Sequence, residues 1–163
     1  MQYLHAPWRM QYILEAQSQK KLRGCLFCSA WKSLEFKKNL VLYKSRHVLV
    51  MMNKYPYNAG HLMVIPRRHI KDLSKLKALE HRVLGETLAV CIKVLKKVYR
   101  PQGFNVGMNL ERVAGAGITD HLHYHIVPRW NGDTNFMPVF ADTRVLVEAL
   151  EETYNKLRKA FGQ

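Results

Sequence analysis

His121-Leu122-His123-Tyr124-His125-Ile126-Val127 decides how this chain is read. In an extended strand successive side chains point to opposite faces, so the three histidines line one face and Leu122, Tyr124 and Ile126 the other. The apolar set belongs against a core. The imidazole set needs another explanation, because each buried ring nitrogen requires a hydrogen-bond partner. Three further readings stay open at this level: core histidines with satisfied nitrogens, a metal site on i and i+2 residues, and a surface that attracts anions. Neutral imidazole also suits attack at phosphorus near pH 7, since its unperturbed pKa is about 6.5. A protonated neighbour offsets charge on phosphoryl oxygens. Chemistry is the favoured reading because Ala114-Gly115-Ala116-Gly117, a loop without bulky side chains, lies just before the row and lets backbone N–H groups approach a phosphate.

Working outward, residues 121–127 read as a strand ended by Pro128, and 104–110 as another. Leu79, Val83, Leu88, Cys91, Leu95 and Val98 recur at helical spacing, and Pro101 and Gly103 stop that helix. His61–Ile65 reads as a strand entered from the turn Pro56–Gly60, and 39–44 with 46–52 as a β-hairpin. Residues 9–22 fit a short helix. Leu146, Ala149, Leu150, Tyr154, Leu157 and Phe161 mark a C-terminal helix, with Asp142 or Thr143 as its cap. Strands, helix, strands and helix with short connections predict an α+β domain: a mainly antiparallel sheet of about five strands with two main helices.

At 163 residues the chain fits one domain. Its 48% hydrophobic and 23% charged residues exclude a disordered class. No apolar run approaches a membrane span, and the N-terminus lacks the apolar stretch of a secretory signal. The expectation is therefore a cytoplasmic protein without membrane partners. The formal charge of +14 attracts polyanions but does not select one, and no specific nucleic-acid motif accompanies it. Arg67, Arg68 and Arg129 suit phosphate contacts or a solvated edge equally. Cys91 sits in a helical pattern and reads as a small core residue. Cys25 and Cys28 form a C-x-x-C pair, two ligands short of a zinc site.

The row His-φ-His-φ-His-φ-φ followed by Pro128-Arg129 resembles the signature of the histidine triad (HIT) family. Asn53 with Gly60-His61-Leu-Met-Val-Ile-Pro-Arg-Arg-His69 is similar to the family's upstream motif, and Cys25-Leu-Phe-Cys28 to its N-terminal cysteine pair. Pro128-Arg-Trp-Asn-Gly-Asp-Thr-Asn-Phe136 resembles the bacterial dinucleoside tetraphosphate (Ap4A) phosphorylase-like branch, related to the fragile-histidine hydrolases. The resemblance implies a single HIT domain over 1–163, with an extension at 1–24, a core at 25–140 and a helix at 141–163. It implies that His123 is the nucleophile, that His125 contacts the phosphate and assists the leaving group, and that His61 orients His123. Asn53 would face the ribose, and Asn109 with Gly115, Ala116 and Gly117 would line the nucleotide and phosphate pocket. The implied activity is a nucleotidyl transferase or hydrolase of dinucleoside polyphosphates, with a phosphorylase preferred. The alternatives are a hydrolase of Ap3A, Ap4A or nucleoside phosphoramidates, and a nucleotide-binding module with little turnover. The resemblance also implies a structural zinc on Cys25, Cys28, His69 and His121, magnesium or manganese with the substrate, and a homodimer. Two positions depart from the family pattern: Gly117 stands where Gln or Ser is common, and Glu111 where Gly is frequent.

Overall fold

A computed structural model of the chain describes residues 24–133 and 148–162. Its elements are α1 (Leu26–Lys32), β1 (Val41–Lys44), β2 (Val48–Met52), β3 (Leu62–Pro66), a 3-10 turn at Leu73–Lys75, α2 (Ala78–Tyr99), β4 (Gly103–Gly107), β5 (Tyr124–Arg129) and α3 (Leu150–Ala160). The strands form one sheet in the order β1-β2-β3-β5-β4, with every pairing antiparallel. The α+β class and the five strands match expectation. The short helix α1 does not appear in the sequence reading, which expected two main helices.

The two central strands, Val-Leu-Val-Met-Met and Leu-Met-Val-Ile-Pro, are buried at every residue. Such strands lack alternation because both faces of the sheet are covered. On one face Val48, Val50, Met52, Leu62, Val64 and Ile126 pack with Leu84, Cys91 and Leu95 of α2 and with Tyr154 and Leu157 of α3. Cys91 is fully buried there, and burial pushes its thiol up to about 12, so it is an inert packing residue. On the other face Val41, Leu49, Met51, Met63 and Ile65 meet Phe27 and Ala30 of α1. His125 lies opposite Met63, which places it on the α1 face.

Several boundaries move. β5 begins at Tyr124, not His121, and runs through Pro128 to Arg129. Pro128 is tolerated because its carbonyl accepts from Asn58 Nδ2 on the side where β3 has already ended, so its missing N–H has no ladder partner to disappoint. β4 stops at Gly107 rather than 110. The C-terminal helix starts at Leu150 with Ala149 at its N-cap, later than expected. Asp142, Thr143, Leu146 and the helix expected at 9–22 lie outside the described residues.

The segment leaving β3 is tied to α2 by one carboxylate. Glu80 accepts from Arg68 Nε at 2.9 Å and Nη2 at 2.7 Å and from the Lys77 N–H at 2.8 Å. The last contact is half a capping box, since the Lys77 ammonium has no lone pair to return. The hydrogen bonds from Arg68 hold the Glu80 carboxyl down to about 2. A carboxyl depressed in the folded state stabilises above its unfolded pKa, and that stabilisation is lost as pH falls from about 4.5 toward about 2. Glu80→Gln is therefore expected to lower stability at pH 7 by on the order of 1 kcal/mol after solvent screening, about 2–4 °C in Tm. The gap to the unsubstituted protein should close below pH 4; a gap that persists at pH 2.5 in thermal scans would show that the charge is not its source.

Candidate active site

Only His125 of the histidine row lies within the paired strand. His121 and His123 precede it on a segment held by the Leu122 N–H, which donates to the Ile70 carbonyl at 2.7 Å. Leu122 faces the α2 side of the sheet. The ring of Phe27 packs against both His121 and His123, with centroids 5.5 and 5.0 Å away. The row accordingly divides. His121 turns toward His69, Cys25 and Cys28. His123 lies against His125, 4.8 Å between ring centres, and His125 against His61, 5.1 Å.

Backbone groups fix the tautomers in this cluster, because a peptide N–H only donates and a carbonyl only accepts. His123 Nδ1 lies 2.9 Å from the His121 carbonyl, so Nδ1 carries the proton and Nε2 keeps its lone pair. The Tyr57 N–H donates to His61 Nδ1 at 3.1 Å, so the His61 proton is on Nε2. That proton is donated to His125 Nδ1 at 2.9 Å, which leaves His125 with an Nε2–H. His61 thus orients His125, not His123 as the sequence comparison implied. Among the described residues no buried side-chain nitrogen or oxygen lacks a partner. His123 is only 6% exposed, and its Nε2, which no described protein group engages, is the atom that opens to solvent. The site therefore offers a bare nitrogen nucleophile beside an N–H donor.

Burial lowers the pKa of His123 and brings His125 down to about 4, with the neighbouring His123 adding to the effect. Both rings are neutral at physiological pH. The expectation of a cationic histidine beside the nucleophile is corrected to a neutral ring that donates through Nε2.

The remaining expected residues surround this cluster. Asn53 donates its N–H to the His61 carbonyl, and its side chain accepts from the Tyr55 N–H. Asn109 Nδ2 reaches the Gly115 carbonyl at 3.5 Å. The N–H groups of Gly115 and Ala116 bond to the carbonyls of Arg112 and Glu111, so Gly117 is the glycine of this loop whose amide is not engaged in the turn. Ile118, next in sequence, packs on the Phe27 side of the sheet, the side that carries His123. Glu111 has φ 65, the left-handed backbone that explains why Gly is frequent there; this chain accepts the strain of a side chain instead. Arg68 and Arg129 are paired with Glu80 and Asp133, and Arg67 stacks over Trp31.

A family model described as the HIT domain matches residues 35–132, more than half the chain. The chain belongs to the HIT family. It is 38% identical over its full length to a Mycobacterium tuberculosis protein named AP-4-A phosphorylase, of which the match covers 86%. It is 32% identical over 91 residues, 55% of this chain and 44% of the relative, to a Saccharomyces cerevisiae bis(5'-adenosyl)-triphosphatase. Among solved structures, a Zn-bound histidine triad family protein from Mycobacterium smegmatis superposes with TM-score 0.66 at 22% identity, covering 85% of this chain and 94% of that one.

Beside the histidine cluster, this HIT domain holds a group that could bind a metal. One ligand atom each from Cys25, Cys28, His69 and His121 all lie within 4.8 Å of one another. Cys25 Sγ and Cys28 Sγ are 3.3 and 3.7 Å from His121 Nδ1, and Cys28 Sγ is 3.5 Å from His69 Nδ1. Donors on a tetrahedral ion with bonds of about 2.0–2.3 Å are separated by similar distances. His121 Nε2 lies 2.8 Å from the Pro66 carbonyl and must be its protonated nitrogen, so Nδ1 presents a lone pair to the thiols. That is the tautomer a metal ligand requires, set by an outer hydrogen bond. Burial and the adjacent Cys25 raise the Cys28 thiol above its usual range. The quartet named from the sequence is thus brought together by α1, the end of β3 and the start of the histidine row.

Proposed function

We propose that the protein cleaves dinucleoside polyphosphates such as Ap4A through a nucleotidyl-phosphohistidine on His123. The observation that carries this reading is the tautomer pair: an unprotonated His123 Nε2 next to a protonated His125 Nε2. In the first displacement His123 Nε2 forms a bond to a phosphorus of the substrate. The bridging P–O bond breaks, and the leaving phosphate oxygen departs as an anion that accepts a hydrogen bond from His125 Nε2–H. His125 keeps its proton, and His61 holds the ring in place. In the second displacement an acceptor oxygen attacks the same phosphorus and frees His123, so one hard step becomes two easier ones. With inorganic phosphate as acceptor the products are ADP and ATP; with water the reaction is a hydrolysis. Asn53 would meet the ribose, and Asn109 with Gly115, Ala116 and Gly117 the nucleotide and its phosphates.

The phosphorylase assignment is supported by the full-length likeness to a protein bearing that name. Mixing the protein with Ap4A, with and without inorganic phosphate, tests it. Turnover is expected to require phosphate and to yield ADP and ATP in equal amounts; rapid release of AMP without phosphate would establish hydrolysis instead. We further propose zinc at the Cys25, Cys28, His69 and His121 group, where two thiolates and two imidazoles suit that ion and four donors would leave no open position, so its part is structural. Magnesium or manganese would enter with the polyphosphate as part of the substrate. A cytoplasmic homodimer completes the proposal.

A further inference from the structure

We infer that Asp133 and Asn58 are positioning residues, which set the tautomers of His61 and His125 from the end of β5. The inference rests on the reading above that His125 donates through Nε2. It gives a physical task to the Trp130-Asn131-Gly132-Asp133 segment, which carried no chemistry in the sequence.

The Asp133 carboxylate is nearly buried, its side chain 9% exposed, and accepts hydrogen bonds from Arg129, Trp130 and Asn58. Arg129 donates from Nε at 2.6 Å and Nη2 at 2.8 Å. The Trp130 N–H donates at 3.1 Å, and Asn58 Nδ2 at 2.8 Å. Asn58 Nδ2 also reaches the Pro128 carbonyl at 3.1 Å. Arg129 is itself held, its Nη1 donating to Asn105 Oδ1 on β4 at 2.7 Å. The carboxylate is thus anchored to two strands, and through Asn58 it reaches the loop between β2 and β3.

That loop also packs on α2, where Gly60 is buried close to the side chains of Leu95 and Tyr99. Internally, the His61 N–H donates to the Asn58 carbonyl and the Tyr57 N–H to His61 Nδ1. The Tyr57 ring lies over His61, 4.8 Å between centres, and 6.3 Å from His125. Asn58 therefore stands next to the N–H that donates to His61 Nδ1 and so keeps the proton on His61 Nε2. If that N–H moves away, His61 can carry its proton on Nδ1. His61 Nε2 then presents a lone pair, His125 must donate to it from Nδ1, and the Nε2–H aimed at the leaving group is gone. A carboxylate at the sheet's edge controls a proton on the reacting face through one amide side chain and one peptide bond.

The test compares Asn58→Ala and Asp133→Asn with the unsubstituted full chain by ¹⁵N NMR of the imidazole rings, where protonated and bare nitrogens are well separated, alongside kinetics with Ap4A. The expected result is a single tautomer for His61 and His125 in the unsubstituted protein and mixed tautomers in both variants. kcat should fall by about 10- to 100-fold, the usual cost of losing an outer hydrogen bond to a working group, while KM changes by less than about threefold. The double variant Asn58→Asp with Asp133→Asn, which reverses the polarity of the pair, should recover part of the loss that Asn58→Asp alone incurs. If Asn58→Ala does not fold, Asp133→Asn, which keeps the shape of the side chain, carries the comparison. Unchanged tautomers in a folded variant overturn the inference even if kcat drops. Mixed tautomers in a protein that never turns over Ap4A would uphold it and reject the proposed activity instead.

Discussion

Replacing His123 with Asn is expected to lower kcat with Ap4A by about 10⁴-fold or more while KM stays within about tenfold. Asparagine keeps an N–H that can donate to the His121 carbonyl, where His123 Nδ1 now does. It therefore preserves the local fold and the packing beside Phe27. What it removes is the Nε2 lone pair, which no described protein group engages. Binding of the polyphosphate depends on the surrounding donors and should survive, so the loss falls on kcat. The same experiment has a covalent readout. Brief mixing of the unsubstituted protein with Ap4A, followed by rapid acid-free quenching, should add the mass of one nucleotidyl group to the peptide carrying His123, and the variant should show none. Equal product formation by the two proteins would remove His123 from the mechanism. A variant that binds Ap4A normally, next to an unsubstituted protein that turns over nothing, would favour the binding-module reading.

Local pattern made some of this legible and tertiary contact decided the rest. The hairpin of β1 and β2 and strand β3 follow from β-rich apolar runs bounded by turns, and helix α2 from helical spacing, because their apolar residues meet a core in the ordinary way. The helix α1 was missed since seven residues of Leu-Phe-Cys-Ser-Ala-Trp-Lys give no period; it is held by Phe27 and Ala30 against the sheet rather than by propensity. The facing read from the histidine row holds, since Leu122 and Ile126 meet the α2 side and the three rings lie on the α1 side, but only His125 sits within the paired strand. Leu122 is drawn to the Ile70 carbonyl and the rings divide around Phe27, two events set by residues remote in sequence. The task of His61 was misassigned for the same reason, since only the fold shows that its Nε2 meets His125. Asn58 had no signal and Asp133 entered only as part of a resembling segment, because their pairing across 75 residues is visible only in space.

Loss of the metal group should be the largest stability effect in the molecule. Cys28→Ser is expected to reduce bound zinc from one ion per chain to a small fraction of that, and to lower Tm by about 10 °C or more. A structural zinc contributes folding free energy directly, and a loss of several kcal/mol moves a domain of this size by a few degrees for each. The quartet closes the chain between Cys25 and His121, positions 96 residues apart, so its loss frees α1 from the end of β3 as well as from the histidine row. It also leaves behind a buried imidazole whose Nδ1 has lost its charged partner, a cost that no surface substitution carries. Because the His121 carbonyl accepts from His123 Nδ1–H and so orients that ring, the damage should reach the reaction: kcat is expected to fall by about 10- to 100-fold in whatever fraction remains folded. A strong chelator applied to the unsubstituted protein should reproduce the fall in Tm, and zinc added back should reverse it, whereas neither should affect Cys28→Ser. Elemental analysis that finds no zinc in the purified protein, together with a Tm indifferent to the chelator, would reduce the four residues to a hydrogen-bonded cluster, with His121 held by Pro66 and the thiols alone.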